Sequence, residues 1–160
     1  MRLRLAAACA FSVVLFTAAT QTALAAPPPN ANPPEVTVQT QPGATTTCTF
    51  YASKPNHSAS KITGTGGIKT CSGAPATCTS ETDVEFYNEF ARTWMTAGAS
   101  ARQSECAPPL RSTTASAKCE SKAGDPNVGW RSTVLGTMVN SSGDAGSGSA
   151  ESSVLYVPCA

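Results

Sequence analysis

The stretch Lys61-Ile62-Thr63-Gly64-Thr65-Gly66-Gly67-Ile68-Lys69-Thr70-Cys71 decides the fold class. In an extended chain Ile62 and Ile68 fall on one face, and Lys61, Thr63, Thr65 and Lys69 on the other. That is the period of a half-buried strand. Gly64 and Gly66 share the apolar face, which predicts a bulge or the close approach of another strand. They do not form a phosphate cradle, because no helix pattern follows. Gly129 to Val139 repeats the alternation, with Trp130, Val134 and Met138 on one side and Arg131, Thr133 and Thr137 on the other. Thr45 to Ala52, Ser112 to Cys119 and Ser152 to Cys159 have strand composition as well. Turns are expected at Lys54-Pro55-Asn56 and Gly124-Asp125-Pro126-Asn127, and loops at 107–112 and over Ser141 to Ala150.

The chain has 160 residues, seven of them cysteine. Met1 to Ala25 reads as a signal peptide: Arg2 and Arg4, an apolar run from Leu5, then Ala23-Leu24-Ala25 as the cleavage site. Polar Thr17, Thr20, Gln21 and Thr22 make it a poor membrane anchor. It contains Cys9, so Cys48, Cys71, Cys78, Cys106, Cys119 and Cys159 remain. An even set in a small exported chain reads as a disulfide framework, and places the mature protein outside the cell. The formal charge of +1 for the whole chain becomes −1 once Arg2 and Arg4 are removed. A near-neutral chain lacks the basic footprint of nucleic-acid binding and the polybasic patch for anionic lipid. We therefore expect no nucleic-acid partner and no membrane insertion of the mature chain.

Residues 26–44 form a proline-rich lead carrying Pro27, Pro28, Pro29, Pro33, Pro34 and Pro42. A segment of this composition has little to bury and is expected to be a flexible spacer. The folded domain is then 45–160. Residues 82–96 have two readings. As a strand, Val84, Phe86 and Phe90 line one face. As a short helix, Val84, Tyr87, Phe90, Ala91, Trp94 and Met95 form a stripe, and Thr82-x-x-Glu85 makes a capping box.

Several segments together carry a resemblance: Ile62-Thr63-Gly64-Thr65-Gly66 running on to Cys71, Thr114 to Cys119, Gly129-Trp130-Arg131, and Ser152-Ser153-Val154 before Cys159. Over about residues 45–160 the chain resembles small secreted β-sandwich proteins of actinobacteria, whose function is mostly unassigned. It departs from them in the added pair Cys78 and Cys106. The resemblance implies an all-β, immunoglobulin-like antiparallel sandwich of about seven strands stapled by three disulfides, and it carries over no catalytic residues. In that sandwich 61–71 is set antiparallel to 45–52, and 112–119 antiparallel to 129–139. This arrangement implies the pairs Cys48–Cys71, Cys78–Cys106 and Cys119–Cys159, one choice among fifteen.

Reactive motifs are sparse. His57 is the single histidine and sits at a turn without a nucleophile elbow. Metal sites need several ligands at set spacing, and only an Asp125–Asp144 calcium pair suggests itself. No metal or cofactor is expected. Glu81, Asp83, Glu85 and Glu89 read as a solvated acidic run. Trp94, Trp130, Tyr51, Tyr87 and Tyr156 are candidates for a carbohydrate-stacking platform or for the core. The loop Pro108, Pro109, Leu110, Arg111 is the one candidate binding loop, anchored by Cys106 and expected to expose Arg111. From this we expect a secreted, non-enzymatic, monomeric module that binds an extracellular or envelope partner. The alternatives are a serine protease inhibitor presenting 107–112, with Arg111 as the specificity residue, and a small secreted hydrolase built on His57.

Overall fold

The computed structural model describes residues 35–40, 46–120 and 127–159. These form ten strands: β1 (Glu35–Gln39), β2 (Thr47–Ala52), β3 (Asn56–Ser58), β4 (Lys61–Ser72), β5 (Thr77–Asn88), β6 (Thr93–Ala99), β7 (Arg111–Lys118), β8 (Asn127–Val139), β9 (Ala145–Glu151) and β10 (Leu155–Pro158). They pair in two antiparallel sheets.

In the first sheet β4 is central. β2 and then β3 run along one side of it, β7 along the other, and β1 lies outside β2. In the second sheet β8 is central. β5 covers one side of it, β9 and then β10 the other, and β6 lies outside β5. The ten strands thus make eight rows, four per sheet. The first three rows follow one another within one sheet. In the immunoglobulin order the third strand crosses to the opposite sheet, so the connections here differ while the sandwich holds.

The cystines are Cys48–Cys71, Cys78–Cys106 and Cys119–Cys159, as the sandwich implied. The pairing of 112–119 is corrected: β7 lies beside β4, with Ile62 opposite Ala117, and not beside β8. Both edges of β8 are already occupied, by β5 and by β9 with β10.

The strand reading of 82–96 holds over the helical one, and two further expectations are corrected. Residues 82–96 hold no helix; β5 and β6 are paired strands with Tyr87 opposite Trp94. The ten-residue pairing of β5 with β8, from Thr77 to Phe86, satisfies its backbone in the sheet and overrides local helix propensity. The apolar stripe splits accordingly, with Val84 in the core and Phe90, in the turn, 81% exposed. Asn88 holds that turn by accepting from the backbone N–H groups of Phe90 and Ala91. The Gly/Ser run 141–150 is only partly loop, since Ala145–Glu151 is β9. Within the proline-rich lead, Glu-Val-Thr-Val-Gln forms β1: the prolines stop at Pro34 and resume at Pro42, leaving a proline-free alternating segment that pairs with β2.

The core has two apolar parts. One holds Phe50, Ile68, Val134 and Met138; the other holds Ile62, Val84, Val128 and Trp130. Between them runs a belt of small polar side chains. Thr82 and Thr113 share a hydroxyl hydrogen bond of 2.6 Å, and Ser152 Oγ accepts from the Ser132 N–H at 2.9 Å. The sheets close on each other at both sides. A Cβ on Gly98 of β6 would stand 2.2 Å from the Ser116 carbonyl oxygen on β7, and one on Gly146 of β9 would stand 2.5 Å from that of Gln39 on β1. Glycine at these two places lets each pair of edges cover itself, which protects against edge-to-edge association.

Candidate functional site

The outer face of the second sheet carries the described chain's most developed surface. Its rows follow from register. Thr79, Thr137 and Ser147 lie side by side, then Glu81, Leu135 and Ser149, then Asp83, Thr133 and Glu151, then Glu85 and Arg131. Eight residues separate Thr79 from Tyr87, a run of about 27 Å at ~3.4 Å per residue.

At the first end these rows floor a groove of about 470 Å³, with Arg102 at its wall. On the inward face beneath it, Gly136 of β8 and Gly148 of β9 leave room for Phe50 and Val38 across the core. Thr79 and Thr137 share a hydroxyl hydrogen bond of 2.8 Å, and Arg102 lies 3.4 Å from a Glu81 carboxylate oxygen. The groove thus offers hydroxyls and a matched ion pair around the half-exposed Leu135, a mixed polar and apolar surface without net charge.

At the other end the face is tightly organised. Arg131 donates from Nε to Glu85 at 2.7 Å and from a terminal nitrogen to Glu151. Thr133 donates to the same Glu85 oxygen at 2.8 Å. The guanidinium sits 4.4 Å from the centre of the Trp94 ring, and Tyr87 meets Trp94 edge-on at 5.4 Å. Tyr156, 72% exposed, stands opposite Gly129 on the far side of β8. Between the two ends, burial and then the neighbouring Glu81 and Glu85 push the Asp83 carboxyl above the usual aspartate range.

Of the candidate aromatics, Trp130 is core and fully buried, packing 5.9 Å from Phe86. Trp94, Tyr87 and Tyr156 lie on the outer face just described. Tyr51 is on the other sheet, with its hydroxyl 2.6 Å from that of Ser112. Of the acidic run, Glu81, Asp83 and Glu85 share the outer face, while Glu89 lies in the exposed β5–β6 turn.

The 107–112 loop exposes Pro108, Pro109 and Leu110. Arg111 does not follow them. Its side chain is 29% exposed, pairs with Glu105, and donates to the Cys106 carbonyl at 3.2 Å. Arg111 also opens β7 opposite Ile68, which turns it back along the sheet. His57 lies in β3 opposite Ile62 rather than in a turn. Among the described residues it makes no side-chain hydrogen bond or ion pair, so no triad is assembled around it. Asp125 lies outside the described residues. Asp144 accepts from Asn140 at 2.9 Å within the β8–β9 turn.

Of the groove residues, Thr137 was placed by sequence on the outward side of its strand without a role, and Ser147 and Ser149 were not singled out. The usable signal was the alternation of Gly146, Gly148 and Ala150 with Ser147, Ser149 and Glu151, which is strand periodicity in glycine and serine. The chain matches no family model, no curated protein and no solved structure.

Proposed function

We propose that the chain is an exported, non-enzymatic binding module whose outer second-sheet face takes a neutral, hydroxyl-rich polymer of the cell envelope. The observation that carries this reading is the groove of about 470 Å³ whose floor sets the hydroxyls of Thr79, Thr137, Ser147 and Ser149 around Leu135. That volume is within the usual range for ligand sites. Its floor comes from three paired strands, so the hydroxyls are held at fixed spacing and little ordering is needed on binding. Export is supported by Arg2, Arg4 and Ala23-Leu24-Ala25, and by the three cystines. Among the described residues no helix is long and apolar enough to cross a membrane.

The test is co-sedimentation of residues 26–160, disulfides intact, with insoluble envelope polysaccharide. Retention lost in Thr137→Arg and Ser149→Arg, whose side chains fill the groove from its exposed floor, is the expected result. Equal retention of wild type and both variants refutes the groove as the site. A parallel panel of serine proteases tests the inhibitor reading: capture of a protease, abolished by Arg111→Ala, would replace this proposal.

A further inference from the structure

Two cystines meet where β2, β4 and β5 come together. Cys48 on β2 is bonded to Cys71, directly opposite it on β4, and Cys78 on β5 is bonded to Cys106. Cys78 Sγ stands 3.8 Å from Cys48 Sγ and 4.0 Å from Cys71 Sγ. The sulfurs of Cys48, Cys71 and Cys78 all lie within 4.8 Å of one another. A tetrahedron of thiolates around zinc, with metal–sulfur bonds of about 2.3 Å, has sulfur–sulfur edges of about 3.8 Å. Two edges of 3.8 and 4.0 Å therefore already exist between the cystines, while Cys106, bonded to Cys78, lies outside this group of three sulfurs and must swing in as its bond opens. Opening the two bonds lets each bonded pair separate toward the same spacing.

We infer that Cys48, Cys71, Cys78 and Cys106, once reduced, form a four-thiolate site for a soft divalent cation of the zinc type. The chemistry balances with a dithiol as reductant. Each cystine receives two electrons and two protons, and each dithiol leaves as its own disulfide. The cation then displaces the four thiol protons, leaving a site of net charge −2. Cystines and bound metal use the same sulfurs, so each state excludes the other.

The surroundings suit this role. Cys48 and Cys78 are buried, among Phe50, Ala107 and Met138, where competing water is excluded. Cys71 and Cys106 are half-buried and give the reductant and the ion a way in. The Arg111 guanidinium, paired with Glu105, donates to the Cys106 carbonyl and so ties down the backbone at this corner of the site. Cys119–Cys159 belongs to the other half of the core and serves as an internal control.

The test uses the full chain reduced anaerobically with a phosphine, then titrated with Co²⁺ as a spectroscopic stand-in for Zn²⁺. One Co²⁺ per chain is expected, with the thiolate charge-transfer and tetrahedral ligand-field bands of a four-sulfur site, displaced by one equivalent of Zn²⁺. The Cys119→Ser/Cys159→Ser double variant should behave identically. Cys78→Ser should lose the four-sulfur spectrum and bind at least about tenfold more weakly, since even outer-shell changes cost that much. The near-UV signal of buried Trp130, followed in the same titration, reports folding. Metal uptake that preserves or restores this signal supports a site built by the fold. The inference is overturned if the reduced chain shows no tetrahedral thiolate spectrum. It is also overturned if Cys78→Ser binds as well as the double variant, or if Co²⁺ binds without the Trp130 signal.

Discussion

Phe50 and Gly136 occupy one another's space across the two sheets: a Cβ on Gly136 would stand 2.1 Å from Phe50 Cε1. Phe50 is fully buried on β2, and Gly136 faces it from the middle of β8. The close approach leaves no room for a methyl group, and the ring is hemmed in by the surrounding core. Gly136→Ala is therefore expected to destabilise the fold by about 1–3 kcal/mol or more, the range for overpacking a filled core. Urea denaturation measures it. Phe50→Leu opens space at the same point, so the double variant should be less destabilised than the sum of the two single changes. Strict additivity would show that the two residues do not compete for that space.

Arg131 of β8 ties β5, β6 and β9 together at one end of the outer face, through Glu85, Trp94 and Glu151. It neutralises Glu85, whose side chain is only 15% exposed, and covers Trp94. Removing it leaves Glu85 with Thr133 as its remaining hydrogen-bond donor. Arg131→Ala should cost about 1–3 kcal/mol, the usual penalty for stripping a partner from a largely buried polar group. Arg131→Lys should recover only part of this, since an ammonium cannot reproduce the planar fork or the ring contact. Thermal melts give the stability, and the fluorescence of Trp94 should change in both variants. A lysine variant as stable as wild type would contradict the stacking geometry.

Asp83 sets a pH dependence with a definite sign. Burial first, then Glu81 and Glu85, raise its carboxyl pKa in the folded chain. Between the unfolded and folded values the native state binds more protons, so stability falls as pH rises through that window and stays lower above it. Asp83→Asn removes the penalty. Its melting temperature should exceed that of wild type at pH 7, by a modest margin because the carboxyl is only partly buried. The gain should vanish below about pH 3, where an ordinary aspartate of pKa ~3.9 is protonated in both states. A variant less stable than wild type at pH 7 would refute the sign.

What the sequence made legible follows a physical division. Residues whose partners are set by period alone were read correctly: Ile62 and Ile68 on β4, and Trp130, Val134 and Met138 on β8, are all buried. Gly64 and Gly66 do mark close approach, since Cβ atoms there would meet Ser132 and Val134 of the opposite sheet. Pairing was less accessible, because 112–119 alternates equally well beside β4 or β8, and only occupation of both edges of β8 decides. The groove was hidden for a related reason. Ser147 and Ser149 have turn-like composition, and become strand only because β8 offers them an edge. Arg111 turns back because its partner Glu105 lies on the other side of two prolines, a local fold-back that hydrophobic period does not encode.

Ser132 gives a prediction of opposite sign from the usual core substitution. Its hydroxyl lies in the polar belt between the two halves of the core, fully buried and without a hydrogen-bond partner among the described residues. The hydrogen bond at this position runs instead from the Ser132 backbone N–H to Ser152 Oγ, and does not involve the hydroxyl. The hydroxyl packs over Gly64, where a Cβ would stand 2.4 Å from it. An unpaired buried polar group costs about 1–3 kcal/mol in desolvation, whereas the small cavity left by one oxygen costs less. Ser132→Ala should therefore leave stability unchanged or raise it, measured by urea denaturation at constant m-value. Ser152→Ala, which strips the acceptor from a buried N–H, should lower it. If Ser132→Ala proved as destabilising as Ser152→Ala, the hydroxyl would have to contribute to stability through a hydrogen bond.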